Sequence, residues 1–169
     1  MASLTPIPLT KSAFTPYGDV IEVNSECEQR SINEGNTQRY HDLATLTLGT
    51  QGGQAAINIF RSIPLTNPVT LRFMERHPLS SQAFMPLSGQ PYLVVVAPPG
   101  ELNEASITVF LASGNQGVNY HPGTWHHYCL ALNKVCDFLV VDRIADDENC
   151  DEVDLSDPLV IQLSVTKDD

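Results

Sequence analysis

Short runs of apolar, β-branched and aromatic residues, each broken by Pro, Gly or polar turns, make up most of this chain. They predict strands over 19–23, 40–48, 55–63, 69–77, 82–87, 92–96, 106–111, 117–120, 126–130, 134–142 and 159–165. Helical periodicity is scarce. One short helix is predicted over 11–15, with Thr10 placed to cap it. Pro98-Pro99-Gly100 and Leu87-Ser88-Gly89-Gln90-Pro91 mark turns. So many short strands leave exposed edges unless the sheet closes, so the expected fold is all-β, a single antiparallel barrel or jelly roll with one or two short helices. No repeat, low-complexity tract or linker divides the sequence, and residues 1–169 are read as one domain.

Composition narrows the function classes. An apolar fraction of 42% and a charged fraction of 17% over 169 residues suit a globular domain with a real core and no need of disulfides. The longest apolar run, 92–99, is far too short to span a bilayer. Met1 is followed by Ala-Ser-Leu-Thr-Pro rather than a basic start and an apolar stretch, so no export signal is read and a cytoplasmic protein is expected. The net charge of −11 speaks against nucleic acid and anionic membranes as partners. The acidic runs Asp146-Asp147-Glu148 and Asp151-Glu152-Val153-Asp154 are read as solvated surface. Cys27, Cys129, Cys136 and Cys150 form no CxxC pair and lie in no nucleophile motif, so free thiols acting as small apolar filler are expected.

Two stretches carry chemistry. In Leu71-Arg72-Phe73-Met74-Glu75-Arg76-His77-Pro78, strand alternation puts Phe73, Glu75 and His77 on one face and Arg72, Met74 and Arg76 on the other. The first set either brings a carboxylate and an imidazole into the barrel or faces solvent from an edge strand. In Gly117-Val118-Asn119-Tyr120-His121-Pro122-Gly123-Thr124-Trp125-His126-His127, three of the chain's five histidines fall beside one Pro-Gly turn. Such clustering points to proton transfer or metal ligation rather than isolated polar side chains.

These stretches resemble the two cupin motifs. Glu75 and His77 take the two His positions of the first motif, Gln82 its Glu position and Gly89 its Gly position. Gly123 and His126 match the second motif, with His121 where Pro is usual. The resemblance implies a metal set of Glu75, His77, Gln82 and His126, suited to one divalent ion such as Ni, Mn, Fe or Zn. Gln82 is a weaker ligand than the usual Glu, and the order of His and Glu is altered.

A closer resemblance, to the ureidoglycolate lyase family, runs along nearly the whole chain. It rests on Ala13-Phe14 with Tyr17-Gly18-Asp19-Val20-Ile21, Arg39-Tyr40-His41-Asp42-Leu43-Ala44, Glu75-Arg76-His77-Pro78 with Gln82-Ala83-Phe84, and Gln116 to His121 with Trp125-His126-His127. Asp137-Phe138-Leu139, Val141-Asp142-Arg143 and Asn149-Cys150-Asp151 complete it. The resemblance implies a cytoplasmic homodimer of allantoin breakdown that splits ureidoglycolate into glyoxylate and urea. Glu75, His77, His121 and His126 are the candidate catalytic residues. Gln82, Asn119, Tyr120 and Arg143 are the candidate substrate contacts, Arg143 being preferred over Arg61 and Arg72 for the substrate carboxylate. Two alternatives stay open: another cupin enzyme, an isomerase or metal-dependent oxygenase, and a non-catalytic ligand-binding cupin.

Overall fold

The computed structural model describes residues 3–163. Two short strands, β1 (Ser3–Leu4) and β2 (Ile7–Pro8), precede the helix α1 (Lys11–Phe14). Thr10 caps α1 as expected, its hydroxyl accepting the Ala13 N–H at 3.2 Å. There follow β3 (Gly18–Ile21), β4 (Glu28–Ile32), β5 (Thr37–His41), β6 (Gln54–Ser62), β7 (Val69–Arg76), β8 (Gln82–Pro86) and β9 (Tyr92–Ala97). The remaining strands are β10 (Thr108–Ala112), β11 (Gly117–Tyr120), β12 (Trp125–His126), β13 (Leu130–Ala131), β14 (Cys136–Ile144) and β15 (Asp151–Ile161).

Most of these strands form two sheets. The smaller has the order β3-β11-β8-β14-β6; the larger runs β1-β15-β7-β12-β9-β10-β2, with β13 also on β9. Pairing is antiparallel except where β1 meets β15 and β2 meets β10. Between the sheets, Val20, Phe84, Val118, Tyr120, Phe138 and Val140 of the smaller meet Tyr92, Val94, Val96, Phe110 and Ala112 of the larger. Each Val or Phe among them, fully buried, contributes roughly 1.5–3 kcal/mol of transfer free energy. On the other face of the larger sheet, Leu93, Val95 and Ala97 join Met74, Val109, Trp125, Leu159 and Ile161 in a second apolar layer. β9 is therefore buried on both faces, which is why it reads as an unbroken apolar run. The fold is the all-β barrel that the strand pattern predicts, of the cupin type that the motif resemblance implies.

The structure departs from the sequence reading in four places. The strand predicted over 40–48 ends at His41. Beyond it, side chains take the backbone's hydrogen bonds: Thr45 N–H donates to Asp19 Oδ2, Asn119 Nδ2 to the Thr45 carbonyl, and Thr47 N–H to Ser81 Oγ. The run 126–130 is split. His126 pairs with Val96 and Leu130 with Leu93, so four steps on one strand oppose three on the other, a bulge beside the histidine cluster. The last strand begins not at 159 but at Asp151, so the second acidic run lies in a strand, though exposed; residues 164–165 of the predicted strand lie outside the described residues. Of the β4–β5 ribbon only Tyr40 and His41 fall in a predicted strand, because most of its residues are polar.

Candidate active site

β7 and β12 run antiparallel, and His126 sits directly opposite Glu75. His126 also pairs with Val96, whose side chain lies between the sheets, so this register turns both functional side chains into the barrel. Glu75 Oε1 lies 3.6 Å from His126 Nε2. His77, just past the end of β7, brings its ring centroid to 5.1 Å from that of His126. Ligand atoms of Glu75, His77 and His126 all lie within 4.8 Å of one another.

The backbone sets both imidazoles. A carbonyl can only accept, so His77 Nδ1–H donates to Asn149 O at 2.7 Å and His126 Nδ1–H to Thr124 O at 3.0 Å. In its uncharged form each ring then presents a bare Nε2 lone pair, and both Nε2 atoms are buried without a protein partner. Burial, then the neighbouring His77, pushes the His126 imidazole down to about 3, so it stays neutral across the physiological range. Burial raises the Glu75 carboxyl; His77 opposes that and Glu152, opposite it on β15, adds to it. Two unsatisfied imidazole nitrogens and a carboxylate, converging in a partly dry space, are a donor set that fits a borderline divalent ion.

The site opens into a cavity of about 300 Å³ lined by His77, Ser80, Gln82, Asp142, Arg143, Asn149 and Cys150, among others. Gln82 Nε2 donates to Asp142 Oδ2, whose other oxygen accepts from Asn58 Nδ2. Arg143 borders the cavity, but its guanidinium is already held by Asp147 and the Thr50 carbonyl. Tyr120 is stacked on His126 with ring centroids 4.3 Å apart and is itself buried.

Asn119 and His121 lie elsewhere. β11 alternates, and Val118 and Tyr120 face the core, so Asn119 points to the outer face of the smaller sheet. There its Nδ2 donates to Asp19 Oδ2, the atom that also meets His121 Nε2 at 3.0 Å. Burial raises the Asp19 carboxyl, but hydrogen bonds from Asn119, His121 and the Thr45 N–H outweigh it and hold it low. His127 is buried against Phe73. Arg61 pairs with Asp137 on the outer face, and Arg72 is exposed.

Sequence reasoning missed two residues here. Asp142 continues the inward face of β14 after Phe138 and Val140, a legible two-residue rhythm. Asn149 orients His77 through its carbonyl, while its side chain accepts from Leu79 N–H and donates to Ser80 Oγ. A loop backbone contact of this kind leaves no trace in residue type. Cys129 and Cys136 are buried filler as expected, the Cys129 thiol pushed up to about 12 by burial, whereas Cys150 is exposed at the cavity.

Two facing sheets with a carboxylate–imidazole cluster between them define a cupin-type barrel with an interior small-molecule site. The family model described as ureidoglycolate lyase matches residues 1–162, and the chain belongs to that family. A ureidoglycolate lyase of Burkholderia mallei (strain NCTC 10229) is 49% identical over 159 residues, covering 94% of this chain and 93% of that one. One of Pseudomonas syringae pv. tomato is 50% identical over 153 residues, covering 90% and 89%. A solved dTDP sugar isomerase from Desulfovibrio desulfuricans is 12% identical, matching 82% of this chain and 85% of that one with a TM-score of 0.48.

Proposed function

We propose that this chain is a ureidoglycolate-cleaving carbon–nitrogen lyase, releasing glyoxylate and urea, with Glu75, His77 and His126 as its reacting site. Half-identity to ureidoglycolate lyases along nearly the full length of both chains supports the reaction. The observation that carries the site is the pair of buried, unpartnered Nε2 atoms facing one carboxylate.

Ureidoglycolate carries a hydroxyl, a carboxylate and a urea nitrogen on one carbon. Its cleavage takes a proton off the hydroxyl, so that a carbonyl forms, and puts one on the departing nitrogen. A carboxyl raised by burial is matched to both transfers. Glu75 takes the hydroxyl proton and returns it to the urea nitrogen. Gln82, steadied by Asp142, and the wall of Ser80 and Asn149 bound the space beside it. Glu75, His77 and His126 would hold one divalent ion, of the Ni, Mn, Fe or Zn kind, with Gln82 close by. Bound there, it would polarise the substrate's carboxylate and hydroxyl oxygens and lower the hydroxyl pKa. Glu75 has two carboxylate oxygens, so it could serve both as a ligand and as the group that moves the proton. Asn119, His121 and Arg143 have no part in this reading.

The same reading takes the chain as one domain and as a cytoplasmic homodimer acting on a small molecule, in keeping with the family resemblance. Incubation with ureidoglycolate, with urea, glyoxylate and ammonia each quantified, tests the reaction. Urea and glyoxylate in equal amounts are expected. Ammonia as the nitrogen product would make the chain an amidohydrolase, and no turnover would favour a binding module.

A further inference from the structure

We propose that Asp142 and Ser80 form the pocket for the ureido end of the substrate and set the selectivity for it, an assignment that rests on the function proposed above.

A row of inward side chains leads from the triad to this pocket. On the smaller sheet Tyr120 of β11 pairs with Gln82 of β8. Asp142 of β14 lies one step beyond the pair Val141–Ala83, across from Gln82. Tyr120 stacks on His126 at one end of the row. Asp142 ends it, in the cavity that His77 also lines.

Charge decides which end of the substrate lies where. The cavity wall carries two carboxylates, Asp142 and Asp147, and one cation, Arg143. Both oxygens of Asp147 and the Thr50 carbonyl hold that guanidinium. Asp142 has no ion-pair partner among the described residues. Its neighbours are two amide donors, Gln82 Nε2 at 3.3 Å and Asn58 Nδ2 at 2.9 Å. A carboxylate accepts at about four lone-pair positions, so it has room for further donors. An anion in this wall repels the substrate's own carboxylate and attracts N–H groups. The substrate carboxylate therefore lies toward the triad, and the terminal N–H2 lies on Asp142.

Ser80 supplies the other half of the pocket. It is 4% exposed, and its Oγ accepts from Asn149 Nδ2 at 2.8 Å. Its own proton has no acceptor among the described residues, so it is left to donate. A ureido group carries a carbonyl oxygen and, beside it, N–H donors. Ser80 O–H meets the first and Asp142 the second. A substrate without the terminal N–H2 leaves Asp142 short of a donor, which is how a polar site rejects a near neighbour of its ligand.

Steady-state urea release by Asp142→Asn and Ser80→Ala, with circular dichroism to show both folded, tests this. Asp142→Asn should raise KM for ureidoglycolate by about 10–100-fold, the range for losing a hydrogen bond to a charged group. The wild type should prefer ureidoglycolate to its terminal N,N-dimethyl analogue, read by glyoxylate release, and Asp142→Asn should narrow that preference. Ser80→Ala should raise KM and leave the preference intact, since it reads the carbonyl. Glyoxylate lacks the ureido group and should inhibit all three forms equally. An Asp142→Asn enzyme with wild-type KM and preference would overturn the assignment. So would a loss of glyoxylate inhibition in step with KM, which would make Asp142 a support of the triad. A wild type that releases no urea would remove the proposed function and this pocket with it; normal turnover with an unaltered Asp142→Asn removes the pocket alone.

Discussion

Glu75→Gln is expected to lower kcat/KM for urea release by about 10²–10⁴-fold, the range for loss of a positioned acid–base group. The replacement keeps the size and shape of the side chain but removes its charge and its ability to move a proton, and weakens it as a ligand. Glu75 is half-buried at the edge of the site, not part of either apolar layer, so the fold should survive, as circular dichroism would show. The pH profile adds a second readout. Burial holds the Glu75 carboxyl above its ordinary range, and the Glu152 carboxylate raises it further. Removing a like charge lowers a carboxyl pKa. Glu152→Gln should therefore shift the acidic limb of the wild-type profile to lower pH, while Glu75→Gln should remove that limb. A folded Glu75→Gln enzyme with near-wild-type turnover would place the chemistry elsewhere.

His126→Ala is expected to abolish activity to at least the same degree and to empty the metal site. The buried Nε2 of His126 faces Glu75, and no other described side chain satisfies it. The wild type should purify with close to one divalent ion per chain. It should lose turnover on chelation and regain it when the ion is restored, because ligand loss and ion loss are the same event. The sequence alone casts His126 as a candidate catalytic residue and metal ligand. The structure adds a structural role: His126 is buried under Tyr120 and satisfies the Thr124 carbonyl. Its loss orphans that carbonyl, at roughly 1–3 kcal/mol, so thermal unfolding must be recorded with activity and metal content. A folded, metal-free wild type with full turnover would reduce the histidines to proton handling alone.

Much of this site can be read from the sequence, for a physical reason. Strand alternation is rigid, so the spacing of Glu75 and His77 and the extension of β14 to Asp142 map directly onto faces. The Pro-Gly turn likewise announces the strand ends that carry His126. What the sequence hides is which face a short strand buries, and where its ladder breaks. Asn119 and Tyr120 are neighbours that alternate to opposite sides of the sheet, so one packs on His126 and the other on Asp19. His121, two residues beyond Asn119, follows it to Asp19. Arg143 is a plausible anion ligand until Asp147 and Thr50 are seen to occupy it. Most of the ribbon escapes notice because it buries nothing within its own chain, and hydrophobic pattern is the signal by which strands are found.

In the proposed reaction ureidoglycolate is cleaved between Glu75, His77 and His126, and not at the second histidine–carboxylate pair on the outer face. A crystal of the metal-loaded protein soaked with the product glyoxylate tests this most directly. Glyoxylate is expected inside the barrel, within hydrogen-bonding or ligand distance of all three residues. Glyoxylate seated beside Asp19 and His121, with the space between the sheets unchanged, would contradict it.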